Sequence, residues 1–143
     1  MTQAVAEYRF TCVDGCTTCC RRPGTVTLTR EDVVRIAQYL GMSIRRFEKK
    51  YTDRVDGFSC LRLQGEEHTC PFLGGDDQRG WCRVHAAKPT QCATYPFWPH
   101  IAASDASWRQ EAHSCPGIGQ GQVVSIDLVQ IQVAAAAAVG RAR

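Results

Sequence analysis

Four cysteines fall within nine residues near the start of the chain, at Cys12, Cys16, Cys19 and Cys20, and five more follow at Cys60, Cys70, Cys82, Cys92 and Cys115. A thiolate is a strong ligand for soft and borderline metals, and an idle thiol is open to oxidation, so this density points to a metal-binding domain. Cysteines two or three residues apart can wrap one centre, because a short turn folds both sulfurs inward. Adjacent side chains normally diverge, however. Cys19 and Cys20 therefore suit a polynuclear site, or two different metal atoms, better than one tetrahedral zinc. The widely spaced later cysteines would return from other parts of the chain to close the centre.

The compartment decides between metal and disulfides. No apolar run approaches the ~20 residues that span a bilayer, and Met1 to Phe10 carries no apolar signal segment. A cytoplasmic location without membrane contact is the expectation. In a reducing compartment dense cysteines hold metal or do catalysis. With nine cysteines, an all-disulfide scheme leaves one unpaired, and it handles the Cys19–Cys20 neighbours awkwardly; secretion would revive that scheme. The formal charge of +3 counts every thiol as neutral. Four thiolates around a divalent ion are anionic, and Arg21 and Arg22 could offset them. The mild basicity is thus weak evidence for a nucleic-acid partner, and no basic run is interleaved with aromatics. Arg45, Arg46, Lys49 and Lys50 read as a solvated helix face.

A chain of 143 residues, 44% hydrophobic and 22% charged, fits one folded domain spanning residues 1–143. Thr29 reads as an N-cap before Glu31 and Asp32. Val33, Ile36, Ala37 and Leu40 form one helical face, which Gly41 ends. Ser43 caps a second helix with Ile44, Phe47 and Tyr51 on its apolar stripe. Thr25 to Leu28 alternates like a strand. Phe58 to Leu63, His68 to Leu73 and Trp81 to Val84 suggest a three-stranded meander bringing Cys60, Cys70 and Cys82 toward one end. Pro89 opens a short helix to Tyr95, stopped by Pro96. Tyr95-Pro96-Phe97-Trp98-Pro99 reads as a rigid aromatic wall. Glu7 to Gly24 and Ala102 to Gly121 read as irregular, and a last helix is expected from Ser125 to Val139, burying Leu128 and Ile131. The fold class is α+β: a helical hairpin, a short antiparallel meander and irregular cysteine-rich segments stapled by metal.

These residues resemble the CxxCxxCC, or YkgJ-type, cysteine-cluster family of zinc- or iron-chelating domains. The resemblance runs through the first cluster, Leu28-Thr29-Arg30-Glu31-Asp32, Leu40-Gly41-Met42-Ser43, Cys70-Pro71-Phe72-Leu73 and Cys82-Arg83-Val84-His85. It continues through Lys88-Pro89-Thr90-Gln91-Cys92, Tyr95-Pro96-Phe97-Trp98 and Cys115-Pro116-Gly117-Ile118-Gly119. One departure is visible: three residues, rather than the usual two, separate Cys12 from Cys16. The resemblance implies metal ligands at Cys12, Cys16, Cys19, Cys20, Cys70, Cys82, Cys92 and Cys115, with Cys60 spare. Larger relatives such as flagellin lysine methylase look like carriers of an iron–sulfur cluster on a comparable set; methyl transfer is not carried over to this chain.

All-cysteine ligation, the adjacent pair and the aromatic wall narrowly favour an iron–sulfur cluster over zinc. The expected function is metal or cluster binding with a redox or electron-transfer role and a protein partner that the sequence does not identify. A zinc-stabilised interaction module and a metal-dependent enzyme are the alternatives. Among His68, His85, His100 and His113, His85 is the best candidate ligand, three residues after Cys82. Cys82 or Cys92 beside His85 could be imagined as a catalytic nucleophile, but no residue is singled out for that role.

Overall fold

The computed structural model describes residues 3–13, 16, 25–65, 69–75 and 80–139. Its elements are β1 (Tyr8–Phe10), β2 (Thr27–Leu28), α1 (Arg30–Tyr39), α2 (Ile44–Tyr51), β3 (Thr52–Val55), β4 (Phe58–Leu61), β5 (Leu73–Gly75) and β6 (Gly80–Cys82). A 3-10 turn (His85–Ala87) then leads to α3 (Thr90–Thr94), α4 (Pro99–Ala102), α5 (Asp105–Glu111), β7 (Ile118–Val124) and α6 (Ile126–Val139). The architecture is small and mixed α+β, with short antiparallel strands. No described helix is long and apolar enough to cross a membrane.

The helical hairpin forms where cap and period agree. The Thr29 hydroxyl accepts from the Asp32 N–H at 3.0 Å, and the Asp32 carboxylate accepts from the Thr29 N–H at 2.9 Å, closing a capping box. Val33, Ile36 and Ala37 are buried. Gly41 takes the left-handed turn, with φ 68°, that a side chain would strain. Ser43 caps α2, whose Phe47 is wholly buried; such a ring contributes about 1.5–3 kcal/mol by leaving water.

The strands depart from the expected meander. Phe58–Leu61 is the middle strand of a sheet ordered β2-β4-β3, whereas β5 and β6 form a separate hairpin. Cys60 therefore lies in one sheet and Cys82 in another. Strand β3 was not anticipated; Asp56 and Gly57, with φ of 53° and 84°, turn it back onto β4. An Asp-Gly pair at positive φ is the preferred two-residue hairpin turn. Two segments expected to be irregular are ordered. Tyr8–Phe10 pairs with β7, with a register shift between Arg9 and Phe10. Ser104, through a capping box with Ser107, starts α5.

Two apolar clusters result. The first gathers Leu28, Val33, Ile36, Ala37, Phe47, Leu61, Phe72 and Val84, with Cys70 and Cys82 packed against it. The second gathers Phe97, Ile101, Trp108, Cys115, Ile118 and Val129, flanked by Tyr8, Phe10, Tyr95, Trp98 and Val133. The last helix is where the sequence placed it, but on another face: Val129 is 3% exposed, while Leu128 and Ile131 are 45% and 63% exposed.

Helix α3 joins the layers. Asp32, wholly buried, accepts from the Thr90 hydroxyl at 2.7 Å and the Thr90 N–H at 3.0 Å, and from Arg35 at 2.7 Å. Arg35 also donates to the Lys88 carbonyl at 2.8 Å. The Gln91 side chain accepts from the Thr27 N–H at 3.0 Å and donates to the Thr25 carbonyl at 2.9 Å. These bonds fix the helix that carries Cys92 to α1 and to the strand β2.

Candidate metal centre

Among the described residues, four cysteines from three parts of the chain line one cavity of about 120 Å³: Cys12, Cys16, Cys92 and Cys115. Cys12 follows β1, Cys92 lies in α3, and Cys115 sits in the loop between α5 and β7. Phe10, Ala93, Pro116 and Gly117 supply much of the remaining wall, with Lys88 and Tyr95 as its other polar side chains. Among the described residues, the strongly metal-ligating groups on this wall are all sulfurs.

Backbone approach brings Cys12 and Cys115 to the same place. The Thr11 N–H donates to the Gly117 carbonyl at 3.2 Å. A Cβ on Gly117 would lie 2.1 Å from the Thr11 carbonyl oxygen, so only glycine permits this contact. Cys115 is itself anchored by its N–H, which donates to the Glu111 carbonyl at 2.9 Å.

Burial pushes the Cys115 thiol above its ordinary pKa, and the nearby Cys16 sulfur acts in the same direction. Backbone N–H groups of Gly117 and Ile118 and the Tyr95 hydroxyl oppose this by hydrogen-bonding the sulfur. Asp32, which braces α3, behaves differently. Burial alone would raise its pKa, but hydrogen bonds from Thr29, Thr90 and Arg35 outweigh that and hold its carboxyl below the ordinary value.

Not every expected ligand lies here. Cys70 and Cys82 belong to the β5–β6 hairpin region and pack against the first apolar cluster. They sit close in the fold, since Leu73 pairs with Cys82 and donates its N–H to the Cys70 carbonyl at 3.1 Å. Cys60 is buried in β4, with its sulfur 3.8 Å from the Phe58 carbonyl. His85, His100 and His113 are exposed and do not line the cavity. Cys19, Cys20, His68, Arg21 and Arg22 lie outside the described residues. Among the described residues, no three cysteine, histidine or acidic side chains converge closely enough to ligate a single ion.

The sequence matches the family described as "putative zinc- or iron-chelating domain", CxxCxxCC, over residues 11–116. The chain belongs to the CxxCxxCC family. The matched span takes in all nine cysteines and every part of the cavity wall except Phe10 and Gly117. No solved structure matches the chain closely enough to count as similar.

The cavity fits what such a domain requires in its donor chemistry. Its sulfurs suit zinc or iron, and Lys88, a cationic residue lining the same cavity, has the charge that would offset part of what thiolates bring. Two contributors escaped the sequence reading. In the sequence, Lys88 stands out only within Lys88-Pro89-Thr90-Gln91-Cys92, and Tyr95 only within the aromatic wall. A cation four residues before a candidate ligand and a hydroxyl three residues after it were the available signals.

Proposed function

We propose that this CxxCxxCC domain holds an iron–sulfur cluster, with Cys12, Cys16, Cys92 and Cys115 as the core of its ligand set, and passes electrons to a protein partner. The observation that carries this reading is four cysteines lining one cavity of about 120 Å³. The adjacent Cys19 and Cys20 favour a polynuclear centre, because neighbouring side chains normally diverge and suit two metal atoms better than one tetrahedral zinc. All-sulfur donors and a largely apolar wall agree, because burial and cysteine ligation are the levers by which proteins hold and tune such clusters.

Cys19, Cys20, Cys70 and Cys82 complete the proposed set. The hairpin pair packs against the first apolar cluster. A bound cluster would supply reversible one-electron chemistry. The chain's own residues provide the thiolates, the Lys88 charge and the aromatic side chains that keep water away. The proposed setting is the reducing interior of a cell, where thiols persist.

Purification without oxygen, followed by visible absorption and assay of iron, sulfide and zinc per chain, tests the proposal. Broad absorption near ~400 nm with matching iron and sulfide supports the cluster. A colourless protein with stoichiometric zinc would replace it with a zinc-stabilised module, and reversible reduction separates electron transfer from a structural cluster.

A further inference from the structure

Helix α6 is apolar on both of its faces, and the described residues cover only one. Asp127, Gln130 and Gln132 are its only polar residues. A helix that is apolar all round is normally buried all round. Here Val129 and Val139 are buried and Val133 packs against the second cluster, where the helix meets α3 and α4. Leu128, Ile131, Ala134 and Ala138 are exposed, and Ala135 is half-buried.

The exposed positions follow a heptad. Leu128, Ile131, Ala135 and Ala138 fall at i, i+3, i+7 and i+10, the spacing of the a and d positions along a coiled-coil seam. The two large side chains stand at one end of this seam and the two small ones at the other. That asymmetry selects a partner. Antiparallel to a second copy of itself, the seam sets Leu128 against Ala138 of the partner subunit and Ile131 against Ala135 of the partner subunit. Each layer then pairs a large residue with a small one, which lets facing side chains interdigitate. The contact is two-fold and self-complementary, the commonest symmetry of soluble oligomers. A parallel pair would crowd the large residues together and leave the alanines facing each other across a gap. Charge points the same way. Asp127 is the one charged residue of the helix, and the sequence continues past its far end with Arg141 and Arg143. Antiparallel pairing brings the acidic end of one copy to the basic end of the other, whereas parallel pairing sets like charges together.

We propose that the exposed face of α6 is a docking surface for a second copy of this chain, the two helices packing antiparallel along Leu128, Ile131, Ala135 and Ala138. A helix of 14 residues is ~21 Å long, so the contact falls at the small end of specific interfaces, below ~1,200 Å² in total. The dimer is therefore one that dissociates in the micromolar range. This inference stands apart from the metal reading, since α6 carries no cysteine.

Sedimentation equilibrium of the full chain tests it, with protein prepared without oxygen and kept under reductant so that no intermolecular disulfide forms. Wild type is expected to rise from the 15.8 kDa monomer toward twice that mass across the micromolar range. Leu128→Glu and Ala138→Lys each put a charge on the seam and should weaken the dimer about tenfold or more. Both suit the helix itself, with an acid in its first turn and a base in its last. Mixed in equal amounts, the two variants should dimerise again, because antiparallel pairing alone sets the new acid opposite the new base. Should either fail to fold by circular dichroism, Ile131→Gln takes its place as the disrupting variant. A wild type that stays monomeric throughout overturns the proposal and leaves the face to another protein or to none. A dimer that survives the substitutions places the contact elsewhere and overturns it too. Variants that are monomeric both alone and mixed overturn the antiparallel pairing, and with it the proposal.

Discussion

The backbone of Gly117 passes so close to the Thr11 carbonyl that an added Cβ would sit 2.1 Å from its oxygen. One hydrogen atom in place of a methyl thus lets the Cys115 loop reach the segment carrying Cys12. Gly117→Ala should separate them, cost about 1–3 kcal/mol as an overpacking change, and lower bound metal. Thermal unfolding together with metal content checks this. Full metal occupancy at unchanged stability would show that the approach does not matter.

Cysteine substitutions should divide by location. Cys16→Ser, Cys92→Ser and Cys115→Ser each remove a sulfur from the cavity and should abolish most metal retention after desalting. Cys60→Ala, in β4 and away from the cavity, should keep the wild-type metal stoichiometry while losing some stability through its buried position. Metal analysis of the four variants reads the difference directly, and equal losses in all four would refute the division.

The Asp32–Thr90 contact predicts a specific pH dependence. The Asp32 carboxyl is held below its ordinary value, so the unfolded chain binds its proton more readily than the folded one. Its stabilisation is complete above the unfolded value of about 3.9 and disappears as pH falls through the lower folded value. Arg35 is the cation facing it, on its own helix, and the Thr90 backbone and hydroxyl face it from α3. Asp32→Ala should cost roughly 3 kcal/mol at neutral pH by breaking this buried network. Asp32→Asn should flatten the acid limb of stability. Parallel acid limbs for wild type and Asp32→Asn in thermal melts would contradict the assignment.

Gln91 replaces a strand partner at the edge of β2 with its own side chain. Removing both hydrogen bonds in Gln91→Ala should destabilise the fold by about 1–3 kcal/mol and make metal release faster, because the same helix carries Cys92. Gln91→Glu retains an acceptor for the Thr27 N–H but loses the donor to Thr25, and should fall between. Chelator-release kinetics and melting temperature distinguish the three proteins.

The helical hairpin was legible because Thr29, Ser43 and the spacing of Val33, Ile36 and Ala37 all specify the same local structure. Strand β3 escaped notice although Asp56-Gly57 marks its turn, since Thr52 to Val55 is polar and follows directly on a helix. The last helix was located but rotated. Its run of alanines gives little contrast between faces, and packing chose Val129 and Val133 over Leu128 and Ile131. For the cavity, residue types pointed to metal, but the grouping of Cys12 and Cys16 with Cys92 and Cys115 depends on tertiary approach at Gly117. The Tyr95–Glu111 bond joins residues 16 positions apart, with Glu111 on a helix where the sequence suggests a loop.

Protein atoms alone tie α3 to its neighbours, through Thr90 on Asp32 and Gln91 on the backbone of Thr25 and Thr27. The seat beneath Cys92 should therefore outlast departure of its inorganic cargo. A domain braced in this way is expected to release bound metal and take it up again without unfolding.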